Sequence, residues 1–221
     1  MLCRNGQPVT RLGLGGLPDQ DPACVPAAYD AGINYFFFYG QSQRPFIEQI
    51  ARLVPTARDE LFIATGSGAR TPAGLRADRQ DLASTADVEQ FDLFFAEYLH
   101  PGDEPATILG PGGLLDEMQA WKDAGLIRLV GVSVHDRPLA RQLAADPRVD
   151  VLMHRYNMAH RTAATEVFPA ALSAATPVVA FTATRWGTLI EPPEGWTGPV
   201  PTAADCYRYC LSHEAVALVL T

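Results

Sequence analysis

Two side chains sit where they could move protons. The run Gly32 to Gly40, GINYFFFYG, is apolar, uncharged and bounded by glycines, and it ends on Tyr39. Such a run reads as a strand buried on both faces of a parallel sheet. Parallel α/β folds bind ligands at the carboxyl ends of their strands, so a phenol delivered there is a candidate acid. The plainer reading makes Tyr39 one more half-buried aromatic with its hydroxyl in water. Glu97 ends a second apolar run, Phe91 to Glu97, where a carboxyl can abstract or deliver a proton. Its plainer role is a salt bridge with Arg155.

Other strand ends deliver His100, Ser133, His135, His154, Arg155, Tyr156, Asn157, Thr184, Arg185 and Trp186. Of these, His100, His135 and Arg155 are candidate substrate contacts. Arg155 with Arg185 suits a carboxylate or phosphate, unless both pair with Glu97 or Asp136. Together with Glu97, the histidines His100, His135 and His154 can also be read as metal ligands. Alternation along the strand turns His154 away from the face shared by Met153 and Arg155, so no metal is expected.

The elements that must position these groups follow in a regular order. Leu2 to Val9, with the turn Asn5-Gly6, reads as a small hairpin. Strands are expected over Arg11–Gly15, Asn34–Phe38, Leu61–Thr65, Phe91–Glu97, Ile127–Val132, Val149–Met153, Val178–Phe181 and Ala215–Leu220. Helices are expected between them over Asp21–Ala31, Pro45–Leu53, Arg76–Thr85, Leu114–Ala124, Arg137–Ala145, Thr162–Ala175 and Ala203–Ser212. Asp21 is the expected cap of the first, with Pro22 at its first position; Thr71 and Pro72 read as loop. Eight strands in βα order imply an α/β fold, a closed (β/α)8 TIM barrel forming one domain over residues 1–221, with the hairpin plugging its bottom. No helix is read after the last strand, so the last helix of such a barrel is missing from this order. The flanks thereby exposed favour either a homodimer or instability.

Composition excludes several classes. With 221 residues, 48% of them hydrophobic and 19% charged, the chain reads as a soluble globular protein. Its net charge of -8, with no basic cluster, argues against nucleic acid and anionic membranes as partners. No run of eighteen apolar residues occurs, and polar residues interrupt Met1 to Gly15 too early for a signal peptide. Cys3, Cys24, Cys206 and Cys210 are too few and too scattered for a disulfide framework, which fits a reducing cytoplasm. The one lysine, Lys122, lies in an amphipathic helix away from the strand ends, which excludes Schiff-base chemistry.

The order of motifs RLGLGG, AYDAGINYFFFYG, RDELFIATGSG, FDLFFAEYLHP, LDEMQAWKDAGLIRLVGVSVHD, RYNMAH, VVAFTATRWGTL and AVALVLT resembles the aldo-keto reductase superfamily over nearly the whole chain. The resemblance implies reduction of a carbonyl with NADPH by a tetrad of Asp, Tyr, Lys and His. Tyr39 keeps the tyrosine position. The aspartate is absent from the apolar FFF before it, the lysine position falls on Gly66, and the histidine position falls on Glu97. Steroid 5β-reductases of the same superfamily carry glutamate there and reduce a double bond conjugated to a ketone. A glutamate kept neutral in an apolar pocket can polarise such an enone.

On the cofactor side, Ser133, Val134 and Met153 stand where relatives hold the nicotinamide amide with Ser, Asn and Gln. Tyr156 and Asn157 keep the pair common after strand six, and Thr184, Arg185 and Trp186 occupy the strand-seven turn. The expected function is an NADPH-dependent oxidoreductase acting on a small carbonyl compound or conjugated enone. The alternative is a cofactor-independent lyase, isomerase or dehydratase in which Glu97 or a histidine takes a proton and Tyr39 gives one; a non-catalytic binding protein is a third class.

Overall fold

The computed structural model describes residues 2–4 and 7–221. A short antiparallel pair, β1 (Cys3–Arg4) and β2 (Gln7–Pro8), opens the chain; the expected turn Asn5-Gly6 lies outside the described residues. Eight parallel strands follow: β3 (Leu12–Gly15), β4 (Tyr35–Phe38), β5 (Phe62–Ser67), β6 (Phe91–Leu99), β7 (Ile127–Val134), β8 (Val151–Arg155), β9 (Val178–Phe181) and β10 (Val216–Leu220). They close into a barrel in chain order, with β10 pairing to both β9 and β3.

Period-two alternation divides the strand residues between two cores. Tyr35, Phe37, Phe62, Ala64, Leu93, Phe95, Val151, Met153, Val179, Leu218 and Leu220 fill the barrel, with Leu2 and Val9 below them. Phe36, Phe38, Ile63, Phe94, Val130, Val132, Leu152, Val178 and Val219 pack outward against the helices. The same parity carries Tyr39, Gly66, Glu97, Ser133 and Arg155 to the inner rim at the carboxyl ends. Inside the barrel the Tyr35 ring stacks on Phe62 at 5.2 Å. A side chain at Gly13 would stand 2.6 Å from that tyrosine ring, so glycine is what lets Tyr35 lie there.

The helices differ from the sequence expectation mostly at their ends. The first, α1, runs only Cys24–Asp30, because Asp21 spends its carboxylate on the Ala23 amide, one turn earlier. The next, α2 (Arg44–Ala57), continues through Pro55. α3 begins at Pro72, not Arg76, and ends at Ala86: Thr71 caps it by accepting from the Gly74 amide, so Thr71 and Pro72 start the helix that their turn-like composition hid. A short α4 (Pro105–Leu109) interrupts the loop before α5 (Leu114–Asp123). Asp136 caps α6 (Arg137–Ala144). The expected helix Thr162–Ala175 is two pieces, α7 (Ala163–Glu166) and α8 (Phe168–Ser173), since Pro169 opens a fresh helix at its second residue. α9 (Ala203–Leu211) carries a capping box between Thr202 and Asp205. No helix among the described residues is long and apolar enough to cross a membrane.

One ion cluster fastens the barrel wall. Asp92, fully buried on β6, accepts from Arg58 and Arg128, each at 2.9 Å, and from the Ile63 amide at 2.9 Å. Breaking a buried ion pair by removing one member costs about 3–5 kcal/mol, and Asp92 is the fully buried member here. Asp92→Ala is therefore expected to lower the urea unfolding free energy by about 3 kcal/mol; an unchanged midpoint would show that solvent replaces the carboxylate.

Candidate active site

Tyr39 follows β4 directly, and its backbone is pinned. The Tyr39 amide donates to Gln43 Oε1 at 2.8 Å, and Gln43 Nε2 donates to the Gly16 carbonyl at 2.6 Å. Gln43 is itself buried. This side chain ties the exit of β4 to the exit of β3 and so fixes the direction of the phenol. Nothing in the sequence marks it, because a glutamine in a loop is ordinarily solvated. A Cβ on Gly16 would meet Gln43 at 2.8 Å, so that glycine is needed for the close approach.

The Tyr39 ring packs edge-on against Phe37 at 4.6 Å and stacks with Tyr98 at 5.9 Å. Burial first, then the neighbouring Tyr98 and Glu97, push its pKa well above the ordinary phenol value. The phenol therefore keeps its proton throughout the neutral range. A lysine of the sort that would lower this pKa is absent from the site. Lys122 instead pairs with both carboxylate oxygens of Asp150, before β8 and away from the strand ends.

Glu97 explains Gly66. A Cβ at Gly66 would stand 2.6 Å from Glu97 Oε1, 2.7 Å from Glu97 Cγ and 2.6 Å from the Phe95 carbonyl. Position 66, where the sequence resemblance leads one to expect a lysine, is thus closed by the glutamate and by the neighbouring strand's backbone, and only glycine fits. Glu97 is 3% exposed and its Oε1 has no hydrogen-bond partner among the described residues. Burial raises its pKa well above the ordinary carboxylate value, outweighing the opposing pull of Arg70, and so favours the neutral acid. The salt bridge with Arg155 is not formed: among the described residues Arg155 has no carboxylate within 4.0 Å.

Tyr98 completes this corner. The β6–β7 register slips between Ala96 and Leu99, and Tyr98 takes a left-handed φ of 53°. Strain of this kind in a bulky residue persists only where its surroundings hold it. Here Arg70 Nη2 donates to the Tyr98 carbonyl at 2.8 Å while Arg70 Nε pairs with Asp103 at 2.9 Å. The bulge swings the ring over the mouth, between Tyr39 and His135, and His135 in turn meets Phe181 at 5.3 Å. A row of rings thus crosses the barrel mouth. The sequence puts Tyr98 among the residues at the strand ends, but the alternation of FAEYLH gives no hint of the bulge that swings it over the mouth.

The other expected site residues divide. Beside Tyr39 lies a hollow of about 190 Å³ lined by Gly15, Gly16, Phe37, Phe181, Thr182, Thr184, Trp186 and Tyr207 among others. Thr182, Arg185 and Trp186 have φ of 57°, 52° and 53°. Thr182 Oγ1 is buried without a partner among the described residues, and Trp186 is 71% exposed. Arg185 is exposed on the same turn, and Ser133 is buried on the inner rim of β7.

Asn157 and Tyr156 are taken up by the scaffold. Asn157 donates to the Thr182 carbonyl at 2.8 Å and accepts from the amides of Ala159 and His160, stapling the exits of β8 and β9. Tyr156 faces outward, its ring against Phe168, Tyr209 and His213. His100 lies apart from the mouth: it is exposed and folds onto Asp103 of its own loop at 3.3 Å. His154 turns outward from the barrel, as alternation requires, and its Nδ1 meets the Val134 carbonyl at 2.6 Å. Among the described residues no three His, Cys, Asp or Glu side chains cluster closely enough to hold a metal ion.

Comparison with known proteins places this geometry in context. The model of the Aldo/keto reductase family matches residues 17–192. D-threo-aldose 1-dehydrogenase from Pseudomonas sp. is 23% identical over 248 residues, spanning 90% of this chain and 74% of that protein. Among solved structures, the holo form of aldo-keto reductase AKR11C1 from Bacillus halodurans superposes with a TM-score of 0.79 at 19% identity, covering 96% of this chain and 81% of that one. The glycerol dehydrogenase AKR11B4 from Gluconobacter oxydans does so with 0.70 at 21% identity, covering 88% and 66%. At these identities the superpositions establish the barrel.

Proposed function

The chain belongs to the aldo/keto reductase family, and from that premise we propose that it reduces a small carbonyl compound or conjugated enone with NADPH, using Tyr39 as the acid. The observation that carries this reading is the hollow beside Tyr39, which brings a protonated phenol, an unpartnered hydroxyl and an exposed indole to one ring-sized space. These residues suit a nicotinamide: Trp186 offers a face for the ring, Thr182 and Thr184 offer hydroxyls, and Ser133 is the further polar group on the rim. When bound, the nicotinamide supplies a hydride.

The protein's own part is proton delivery and polarisation. Tyr39, held by the Gln43 link to Gly16, donates its proton to the substrate oxygen as negative charge develops there. Its raised pKa suits donation and opposes the reverse role, since a phenolate able to accept a proton from an alcohol is scarce at neutral pH. Glu97, neutral and dry next to Tyr39 and Tyr98, is a hydrogen-bond donor for the carbonyl of an enone. The ring of Tyr98 shields this corner from water, which strengthens each of these interactions.

The test is a titration with NADPH and NADH followed by tryptophan fluorescence, Trp186 being the reporter on the hollow. Saturable quenching in the micromolar range is expected. Absence of quenching up to millimolar cofactor removes the reductase reading and leaves cofactor-independent proton transfer between Glu97 and Tyr39 as the chemistry to pursue.

A further inference from the structure

We propose that a second hollow, at the ends of β7 and β8, binds a phosphate group that still carries a proton, on Arg155, His154 and His160. This hollow, of about 90 Å³, is lined by His135, Arg137, His154, Arg155, His160 and Thr162 among others. The residues that line this hollow and those that line the space beside Tyr39 do not overlap, and the inference does not rest on the reductase reading.

Three observations define the ligand. Arg155 is half-buried and makes no hydrogen bond or ion pair among the described residues, so its five N–H donors are available to oxyanion oxygens. The nearby Arg137 already has Glu166 as partner. His154 is 2% exposed, and because the Val134 carbonyl can only accept, its Nδ1 must carry the hydrogen. Nε2 of the neutral ring is then a bare acceptor. His160 repeats the arrangement: Asn157 Oδ1 already accepts from two amides, so His160 Nδ1 donates to it at 3.2 Å and Nε2 is left to accept.

A cation beside two acceptor nitrogens matches a group with both charged oxygens and a P–OH. Dihydrogen phosphate carries a P–OH for each nitrogen, and hydrogen phosphate or a phosphomonoester monoanion carries one; sulfate at neutral pH has only the oxygens. The surrounding field is consistent. Burial first, with Arg155 as a smaller contributor, holds the pKa of His135, His154 and His160 below the ordinary imidazole value, His154 down at about 4. In a chain of net charge -8 this is a positive hollow without an internal counter-ion.

Calorimetric titration of the protein near neutral pH, at matched ionic strength, tests the assignment with inorganic phosphate, glycerol phosphate and sulfate. Saturable phosphate binding is expected, with sulfate weaker by about tenfold or more, as loss of a hydrogen bond to a charged partner implies. Tighter glycerol phosphate marks a phosphomonoester site, and tighter inorganic phosphate a free-anion site. Arg155→Gln, at a position with no partner to lose, should weaken phosphate binding about tenfold or more while leaving the melting temperature in place. Imidazole NMR resonances of His154 and His160 should move with phosphate in the wild-type protein. Absence of saturable phosphate binding, equal affinity for sulfate, or unchanged binding in Arg155→Gln overturns the proposal.

Discussion

Tyr39→Phe is expected to lower turnover by about 10²–10⁴-fold, the range associated with loss of a general acid, while cofactor quenching and melting temperature stay close to wild type. The substitution removes only the hydroxyl; the ring contacts with Phe37 and Tyr98 and the amide link to Gln43 survive. The pH profile of the wild-type enzyme checks the same group independently. Because burial and its neighbours raise the phenol's pKa above the ordinary value, the donating form is fully populated below that pKa. Carbonyl reduction should therefore be flat from about pH 6 to 9. Oxidation of the corresponding alcohol needs the deprotonated form, so it should be slow at neutral pH and rise as the medium becomes more alkaline. A Tyr39→Phe variant with unaltered turnover, or a reductive rate that falls through neutral pH, would assign the proton to another group.

Glu97→Met is expected to melt higher than wild type and to turn over an enone more slowly, by about tenfold or more. The two effects have one origin. Glu97 Oε1 is buried without a partner, and a desolvated, unsatisfied polar atom costs about 1–3 kcal/mol, which a methionine of similar shape would recover. The stabilisation should also depend on pH with a definite sign. A carboxyl whose folded pKa is raised binds its proton more tightly in the native state than in the unfolded chain. Its contribution to stability is intact below the unfolded pKa and is lost as pH rises through the folded one. The advantage of Glu97→Met should thus grow from acidic to alkaline pH in urea titrations. A variant that is stabilised yet fully active on enones would make Glu97 a filler of the Gly66 gap and not a polariser. Destabilised sites of this sort are where function is paid for with stability.

Both predictions concern residues that the sequence marks by position, at the ends of apolar runs, and whose state only the assembled barrel determines. Tyr39 and Glu97 are legible because period-two alternation and βα order fix the face and the end of a strand on which each residue lies. By the same rule Tyr35, Phe37, Phe62 and Phe95 belong to the interior and His154 to the outside.

What alternation cannot express is contact between strands. The matching of Gly66 to Glu97 needs β5 and β6 in one register. The left-handed Tyr98 that roofs the mouth arises from a register slip against β7. Gln43 acquires its role only when the exits of β3 and β4 are adjacent, and Asn157, read as a cofactor contact, is consumed in holding β8 to β9. Local sequence thus determined the barrel, the strand ends and the residues delivered there. Tertiary structure decided which of them are dry, protonated or already bonded, because burial and hydrogen-bond partners come from segments far apart in the chain.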